Sequence, residues 1–264
     1  MTNAHMSPDR ERRRSDPPTA LTKREAFGTL RARAWQWAFL RHLRHEVAAL
    51  VPDDPSRVVS EAAAMAQQSY ARAHDGVPDR AGVHVLRASA LVLGSYHALR
   101  RAGASDAAAY EAVRRAFRAT WRTPTTLLVK LVMGLVRDPV GALSHRRYLS
   151  VLRAAFGSGA DFQQRVAEGQ IDLIVTRCAF ERFFAEHAEP RLTQVVCEWD
   201  HNWMDVMSTS RRPVQLNRPM TLSTGCEQCT FQHIRTATAS QRGRDVVCDQ
   251  PSTSRAAGDH GADT

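Results

Sequence analysis

The sequence predicts an α+β fold: a helical N-terminal part, then a small α+β part with a C-terminal β-hairpin. Three observations carry this. Up to residue 157, apolar side chains recur at three- and four-residue spacing between helix caps and Pro or Gly stops. After Gly157 and Gly159 the character changes, and 170–177 (Gln-Ile-Asp-Leu-Ile-Val-Thr-Arg) is rich in β-branched residues. Further on, Val214, Leu216, Met220 and Leu222 alternate, and 229–235 alternates again with Phe231 and Ile234 as apolar members. The expected organisation is a disordered tail over 1–20, a helical region over 21–157, an α+β core over 158–237 and a second disordered tail over 238–264. Both ends are too polar to offset the entropy of ordering them.

The elements follow in order. Thr22-Lys23-Arg24-Glu25 is a capping box, and Phe27, Leu30, Ala34, Trp37 and Ala38 then share one helical face. That helix runs to about residue 50, ahead of Pro52. Asp54-Pro55 supplies the N-cap and first position of a second helix with its body over 58–73, ended by Gly76 and Pro78. A third covers 83–101, carrying Val85, Leu86, Leu91, Val92 and Leu99, and Gly103 stops it. Ser105 or Asp106 caps a fourth, which ends near Trp121. Pro124 sets off a short apolar helix over 126–136, and after Pro139 a further helical piece spans about 143–156. In the second part, 170–177 is a strand, 179–187 and 190–207 are helices, and 214–224 is a strand interrupted by Pro219. Gly225-Cys226-Glu227-Gln228 turns the chain into the last strand, 229–235, to make the hairpin.

Composition excludes several classes. The chain has 264 residues, 43% of them hydrophobic and 24% charged, enough to bury a core without disulfide staples. The most apolar run, 127–136, falls short of the ~20 residues a membrane span needs and contains Lys130. No apolar segment follows the Arg-rich start as in a signal peptide, so a cytoplasmic location is expected. The net charge is +9, and only Lys23 and Lys130 are lysines, so the basic surface is arginine. Trp35-Gln36-Trp37 among Arg31, Arg33, Arg41 and Arg44 would suit stacked bases, but core plus a charged face is the favoured reading. No GxGxxG, GxxxxGK[ST] or GxSxG pattern is present, so dinucleotide enzyme, kinase and serine hydrolase readings have no support.

Five cysteines, an odd number spread over a long chain, point to thiol or metal chemistry rather than a disulfide framework. Cys178, Cys197, Cys226 and Cys229 sit at the edges of predicted elements, and Cys248 falls in the C-terminal stretch. Cys226-x-x-Cys229 at a turn is half of a zinc knuckle, with Asp200 and His201 as candidates for the remainder. A nucleophilic thiol instead needs a neighbouring base, for which Glu198, Asp200, His201 and His233 are candidates. Arg177, beside Cys178, could favour a thiolate or grip a substrate carboxylate in bidentate fashion. Against both stands the reading that Cys178 and Cys197 are small core residues.

Taken in order, Thr176-Arg177-Cys178, Cys197-Glu198-Trp199-Asp200, Thr221-Leu222-Ser223-Thr224-Gly225 and Cys229-Thr230-Phe231 resemble the C-terminal pattern of the L-2-amino-thiazoline-4-carboxylic acid hydrolase family, over roughly 170–235. One segment departs from it. Where the family turn reads Gly-Asp-x-x-Cys-Asp-Phe, this chain has Gly225-Cys226-Glu227-Gln228-Cys229-Thr230-Phe231, with both acidic positions replaced and a thiol gained. The resemblance implies a hydrolase that opens a cyclic amidine C–N bond in a small amino-acid-derived substrate, giving a carbamoyl-cysteine-type product. Cys178, Cys197, Asp200 and Cys229 match the pattern and are the candidate catalytic residues. Arg177, Trp203 and Phe231 are the candidate substrate-binding residues. No cofactor is implied, and zinc enters only through Cys226 and Cys229. The expected partner is a small molecule, not a membrane or a nucleic acid. The competing reading is a non-catalytic ligand- or partner-binding protein with a structural zinc–thiolate site.

Overall fold

The structure is a computed structural model that describes residues 23–73 and 77–236. Thr22 of the predicted capping box, both predicted tails and Cys248 lie outside these residues.

Four helices, α1 (Lys23–Leu50), α2 (Pro55–Ala73), α3 (Arg80–Arg101) and α4 (Asp106–Ala119), form the first layer. Helices α2 and α4 start at the predicted caps, and α3 starts at Arg80, three residues before the expected position, on an Asp79 cap that was not expected. The Asp54 carboxylate accepts the Arg57 N–H at 3.0 Å, Asp79 accepts that of Gly82 at 2.9 Å, and Ser105 that of Ala108 at 3.2 Å. Helix α3 is buried almost all round between Val85 and Leu99, as a central helix must be. It lies so close to α2 that a Cβ on Gly94 would stand 2.6 Å from the Ala62 carbonyl oxygen. Trp35 packs on Phe39 at 5.7 Å and edge-on to Phe117 at 5.5 Å, whereas Trp37 is exposed with the Arg41 guanidinium over its ring. The Trp pair is thus one core residue and one surface residue.

This core is completed from far along the chain. Phe183 and Phe184 of α8 (Ala179–Glu186) and Leu192 and Val195 of α9 (Leu192–Cys197) pack with Phe39, Leu43, Val92, Leu99 and Val113. Arg191, just before α9, pairs with Asp106 at the start of α4 and donates to the Tyr96 hydroxyl of α3. Its guanidinium lies 5.1 Å from the Tyr96 ring centroid and 5.8 Å from that of Tyr110.

Helices α5 (Arg122–Leu135), α6 (Pro139–Leu143) and α7 (Arg146–Phe156) lead into an antiparallel sheet. Its strands are β1 (Ala160–Ala167), β2 (Gln170–Cys178), β3 (Val214–Met220) and β4 (Cys229–Arg235), in the order β1-β2-β4-β3. Helix α7 packs on β1, and α10 (His201–Ser208) packs on β3 and against α5. Where α7 enters the sheet, Gly157 has φ +52°, and a Cβ there would lie 2.0 Å from Asp79 Oδ1. Glycine allows the approach, and the other Asp79 oxygen accepts the Ser158 N–H at 2.7 Å. One carboxylate therefore caps α3 and tethers the entry to the sheet.

Several boundaries differ from expectation. Strand β1 was not expected, because only Ala160 and Phe162 of its eight residues are buried and it pairs on one side only. Helix α5 starts at Arg122 rather than 126, since Pro124 sits in the first turn, where its missing N–H costs nothing. The piece expected over 143–156 is α7, and a short extra helix, α6, precedes it, capped by Asp138 with Pro139 in its first turn. The helix expected over 190–207 is α9, a 3₁₀ turn over Glu198–Asp200 and then α10. The hairpin is present, but β3 ends at Met220 and a 3₁₀ turn over Leu222–Thr224 leads into the turn at 225–228. No helix among the described residues is long and apolar enough to cross a membrane.

Candidate functional site

Two irregularities in the sheet aim the site. Ala160 pairs with Cys178 and Asp161 with Arg177, but Phe162 pairs with Val175, so Thr176 is an extra residue on β2. Successive strand residues face opposite sides. The extra residue therefore returns Cys178 to the face of Leu173 and Val175 and turns Arg177 to the other. On β3, Asn217 pairs with Gln232 and Met220 with Thr230, so Arg218 and Pro219 together oppose Phe231. Pro219 is tolerated because β3 is an edge strand and the pair bulges. On β4, Cys229, Phe231 and His233 share the face of Val175, Leu173 and Ile171, their partners on β2.

The second wall is the segment from α9 to α10. Trp199 Nε1 donates to the Thr120 carbonyl at 3.0 Å, Asn202 Nδ2 to that of Arg118 at 2.9 Å, and Glu198 pairs with Arg114 at 3.1 Å. These contacts fix the segment to the end of α4. Cys197, Asp200 and Trp203, spaced three apart, project together toward the sheet.

Between the walls lies the Arg218 guanidinium, its side chain only 16% exposed. Nη1 is 3.3 Å from Asp200 Oδ2, and Nη2 is 3.3 Å from Cys197 Sγ and 3.9 Å from Cys229 Sγ. The group stacks on Phe231 with 4.5 Å to the ring centroid. Its Nε–H is buried and has no acceptor. Cys229 Sγ also accepts the Leu222 backbone N–H at 3.2 Å. Asp200 Oδ1 accepts the Trp203 indole N–H at 3.1 Å, and Trp203 stacks on the fully buried His233 ring at 6.1 Å.

Burial dominates the electrostatics. It pushes the Cys178 thiol up to about 12, against the opposing Glu181 N–H, so Cys178 is protonated at neutral pH. Cys197 is also raised by burial, which outweighs the Arg218 charge beside it. The Asp200 carboxyl is raised by burial, with Arg218 and the Trp203 N–H opposing. Tyr148 of α7 is pushed up to about 12 by burial, and the Asp200 charge adds to it. Burial lowers His233, leaving a neutral imidazole. Burial also works against the Arg218 charge, but Cys197, Asp200 and Cys229 outweigh it and raise its pKa.

Of the residues singled out by sequence, Cys197, Asp200, Cys229, Trp203 and Phe231 converge on Arg218. Cys178 joins the same apolar cluster as Cys229, Phe231 and Trp203. Arg177 does not join it. Its guanidinium pairs with Asp161 at 2.9 Å and lines a separate cleft of about 340 Å³ with Arg182, Glu186 and Ser158. Of the candidate bases, Glu198 is held by Arg114, His201 stands half-exposed 3.9 Å from Asp205, and Asp200 remains at the centre. Cys226 lies in the turn, 3.7 Å from the Thr224 hydroxyl, and is disulfide-bonded, contrary to the sequence expectation of a free or metal-binding thiol. Among the described residues, no group of three or more His, Cys, Asp or Glu side chains is arranged to hold a metal ion. The Cys226–Cys229 pair therefore gathers no zinc-binding set there. Sequence reasoning missed Arg218, although it occupies the inward phase of the run Val214, Leu216, Met220, where a charge needs a partner. It also missed Tyr148 and the Leu222 N–H.

No curated protein and no solved structure matches the chain. The family model for L-2-amino-thiazoline-4-carboxylic acid hydrolase matches residues 85–233, from the centre of the helical layer to the last strand. That span holds every residue around Arg218 and more than half of the sequence, and the chain belongs to the L-2-amino-thiazoline-4-carboxylic acid hydrolase family.

Proposed function

We propose that the chain hydrolyses a cyclic amidine of the 2-amino-thiazoline-4-carboxylate type at its amidine carbon, with Cys229 as nucleophile. One observation carries the choice of thiol. Cys229 Sγ is the sulfur that both receives a backbone N–H and faces Arg218, a setting that stabilises charge on sulfur. Cys178 lacks the cation contact and keeps its proton to about 12.

The roles follow from chemistry. The amidine carbon is electrophilic, more so when the amidine is protonated. A carboxylate at Asp200 pairs with an amidinium by charge-assisted hydrogen bonds, and burial raises its pKa, which makes it a stronger proton acceptor than an exposed carboxylate. The buried Arg218 Nε–H lacks an acceptor, and a substrate carboxylate that enters the cluster would supply one. Cys229 Sγ adds to the amidine carbon while its proton passes to Asp200. The ring bond to that carbon then breaks, and the departing ring atom takes the proton back. Water attacks the same carbon and expels Sγ. One water is consumed and the thiol is regenerated, giving carbamoyl-cysteine. Trp203 and Phe231 wall the ring, and Cys197 helps hold the guanidinium.

Mass spectrometry of the product tests this, with a thiol reagent deciding which ring bond opens. A free amine marks C–N cleavage, the bond expected here, and a free thiol marks C–S cleavage. Cys229→Ala should abolish turnover with the fold retained, whereas Arg177→Gln should leave it within about twofold, as expected of a surface substitution. Full activity in Cys229→Ala would remove the covalent route.

A further inference from the structure

Alternate residues of β4 carry three parts of the site on one face. Cys229, Phe231 and His233 point the same way, opposite Val175, Leu173 and Ile171 of β2. Phe231 bears the Arg218 guanidinium 4.5 Å from its ring centroid, and that guanidinium pairs with Asp200 Oδ2 at 3.3 Å. His233 bears the Trp203 indole, with ring centroids 6.1 Å apart and planes within 14° of parallel. The indole N–H is donated to the other oxygen, Asp200 Oδ1, at 3.1 Å. Each oxygen of Asp200 is therefore set by a group that rests on a ring of the strand that bears Cys229.

The imidazole makes no polar contact of its own. His233 is fully buried, and neither ring nitrogen has a hydrogen-bond partner. Leaving a neutral imidazole unpaired in a core costs stability that an aliphatic side chain would not. What the ring does supply is a flat face. Ile171 on β2 and Leu216 on β3 are its partners across the ladder, so its place in the middle of the sheet is fixed from both sides. Offset parallel rings at this separation attract. Trp203 also leans on Phe231 at 6.0 Å, but with a 40° tilt. The parallel face is the one that sets the plane of the indole, and with it the direction of its N–H.

We propose that His233 is a positioning residue: its ring fixes the plane of Trp203 and, through the indole N–H, the orientation of Asp200. The catalytic consequence rests on Asp200 acting as the proton acceptor described above, whereas the placement of the indole does not.

The test uses the full chain with isotope-labelled tryptophan, read by nitrogen–proton NMR. Trp203→Phe identifies the indole signal that disappears. In the parent chain that N–H, bonded to a carboxylate, should resonate downfield and exchange slowly with water. His233→Leu should move it toward the position of an unbonded indole and speed its exchange roughly tenfold, as for the loss of one hydrogen bond, with the thermal melt no lower. With 2-amino-thiazoline-4-carboxylate as substrate, kcat should fall by roughly 10²-fold, the cost of a misplaced catalytic group. In the Trp203→Phe background, where Asp200 has already lost the indole, His233→Leu should cost nothing further. An indole signal that stays put in His233→Leu, or moves only as the melt falls, would overturn the proposal. So would a loss of turnover equal in both backgrounds. Absence of turnover in the parent chain would count against the hydrolase reading, with the indole signal still deciding the role of His233.

Discussion

Two sulfurs lie beside one guanidinium and a third joins the apolar cluster next to it, and their other contacts set them apart. Cys197 touches the fork of Arg218, Cys229 adds the Leu222 N–H, and Cys178 has only apolar company and the first turn of α8. The Cys178 thiol makes a prediction of its own. Its folded pKa is raised to about 12 from an ordinary 9.0, so the folded state keeps a proton that the unfolded state releases. The stability this contributes is fully present below pH 9 and is lost as the pH rises from there toward 12, by at most about 1.4 kcal/mol per pH unit. Urea midpoints should therefore fall more steeply above pH 9 in the parent chain than in Cys178→Ala. A second prediction concerns Arg218. Lysine keeps the charge but cannot span Asp200 and Cys197 with one planar fork, so Arg218→Lys should lower kcat by ~10²-fold at unchanged fold. Part of this site was legible. The ordered cysteines and Asp200 were found as a set, and Arg218 stood at an inward strand phase. Arg177 was singled out for its place beside Cys178, but neighbouring strand residues face opposite sides, and the extra residue at Thr176 gives the inward face to Cys178.

At the scale of elements, the helices that close on apolar faces were readable from spacing and caps, and α3 and α4 start within three residues of expectation. Strand β1 was not, since an edge strand with two buried side chains looks like loop. The break between α9 and α10 was not readable either, because Glu198, Trp199 and Asp200 are each tied to a different tertiary partner that no local pattern announces. The closest approach of two elements gives a direct test. A methyl group at Gly94 would press on the backbone of α2 at Ala62 and Ala66, and backbone cannot rotate away. Gly94→Ala should destabilise by about 1–3 kcal/mol, lowering Tm by ~2–4 °C for each kcal/mol in a chain of this size. Gly103→Ala, with nothing within 4 Å, tests the other glycine cost alone, a strained φ of +91°.

Across the whole molecule, the sheet and the helical layer share one construction. The chain leaves the helices at 157, builds β1 and β2, and sends α8 and α9 back into the helical core before α10 and the last two strands return to the sheet. Cys178 and Cys197 are therefore held at the two ends of a segment whose middle belongs to the other layer. A fragment of residues 158–237 should then show no cooperative melt, because Phe183, Phe184, Leu192 and Val195 would lose their partners on α1, α3 and α4. The proposed nucleophile, Cys229, stands where the two layers meet at Arg218. The most direct test of that role is trapping of L-2-amino-thiazoline-4-carboxylate on the parent chain by rapid quench and intact-mass spectrometry, followed by peptide mapping. A transient adduct on Cys229 is expected, with a decay that matches product formation. Turnover with no adduct on any thiol, and undiminished in Cys229→Ala, would contradict it.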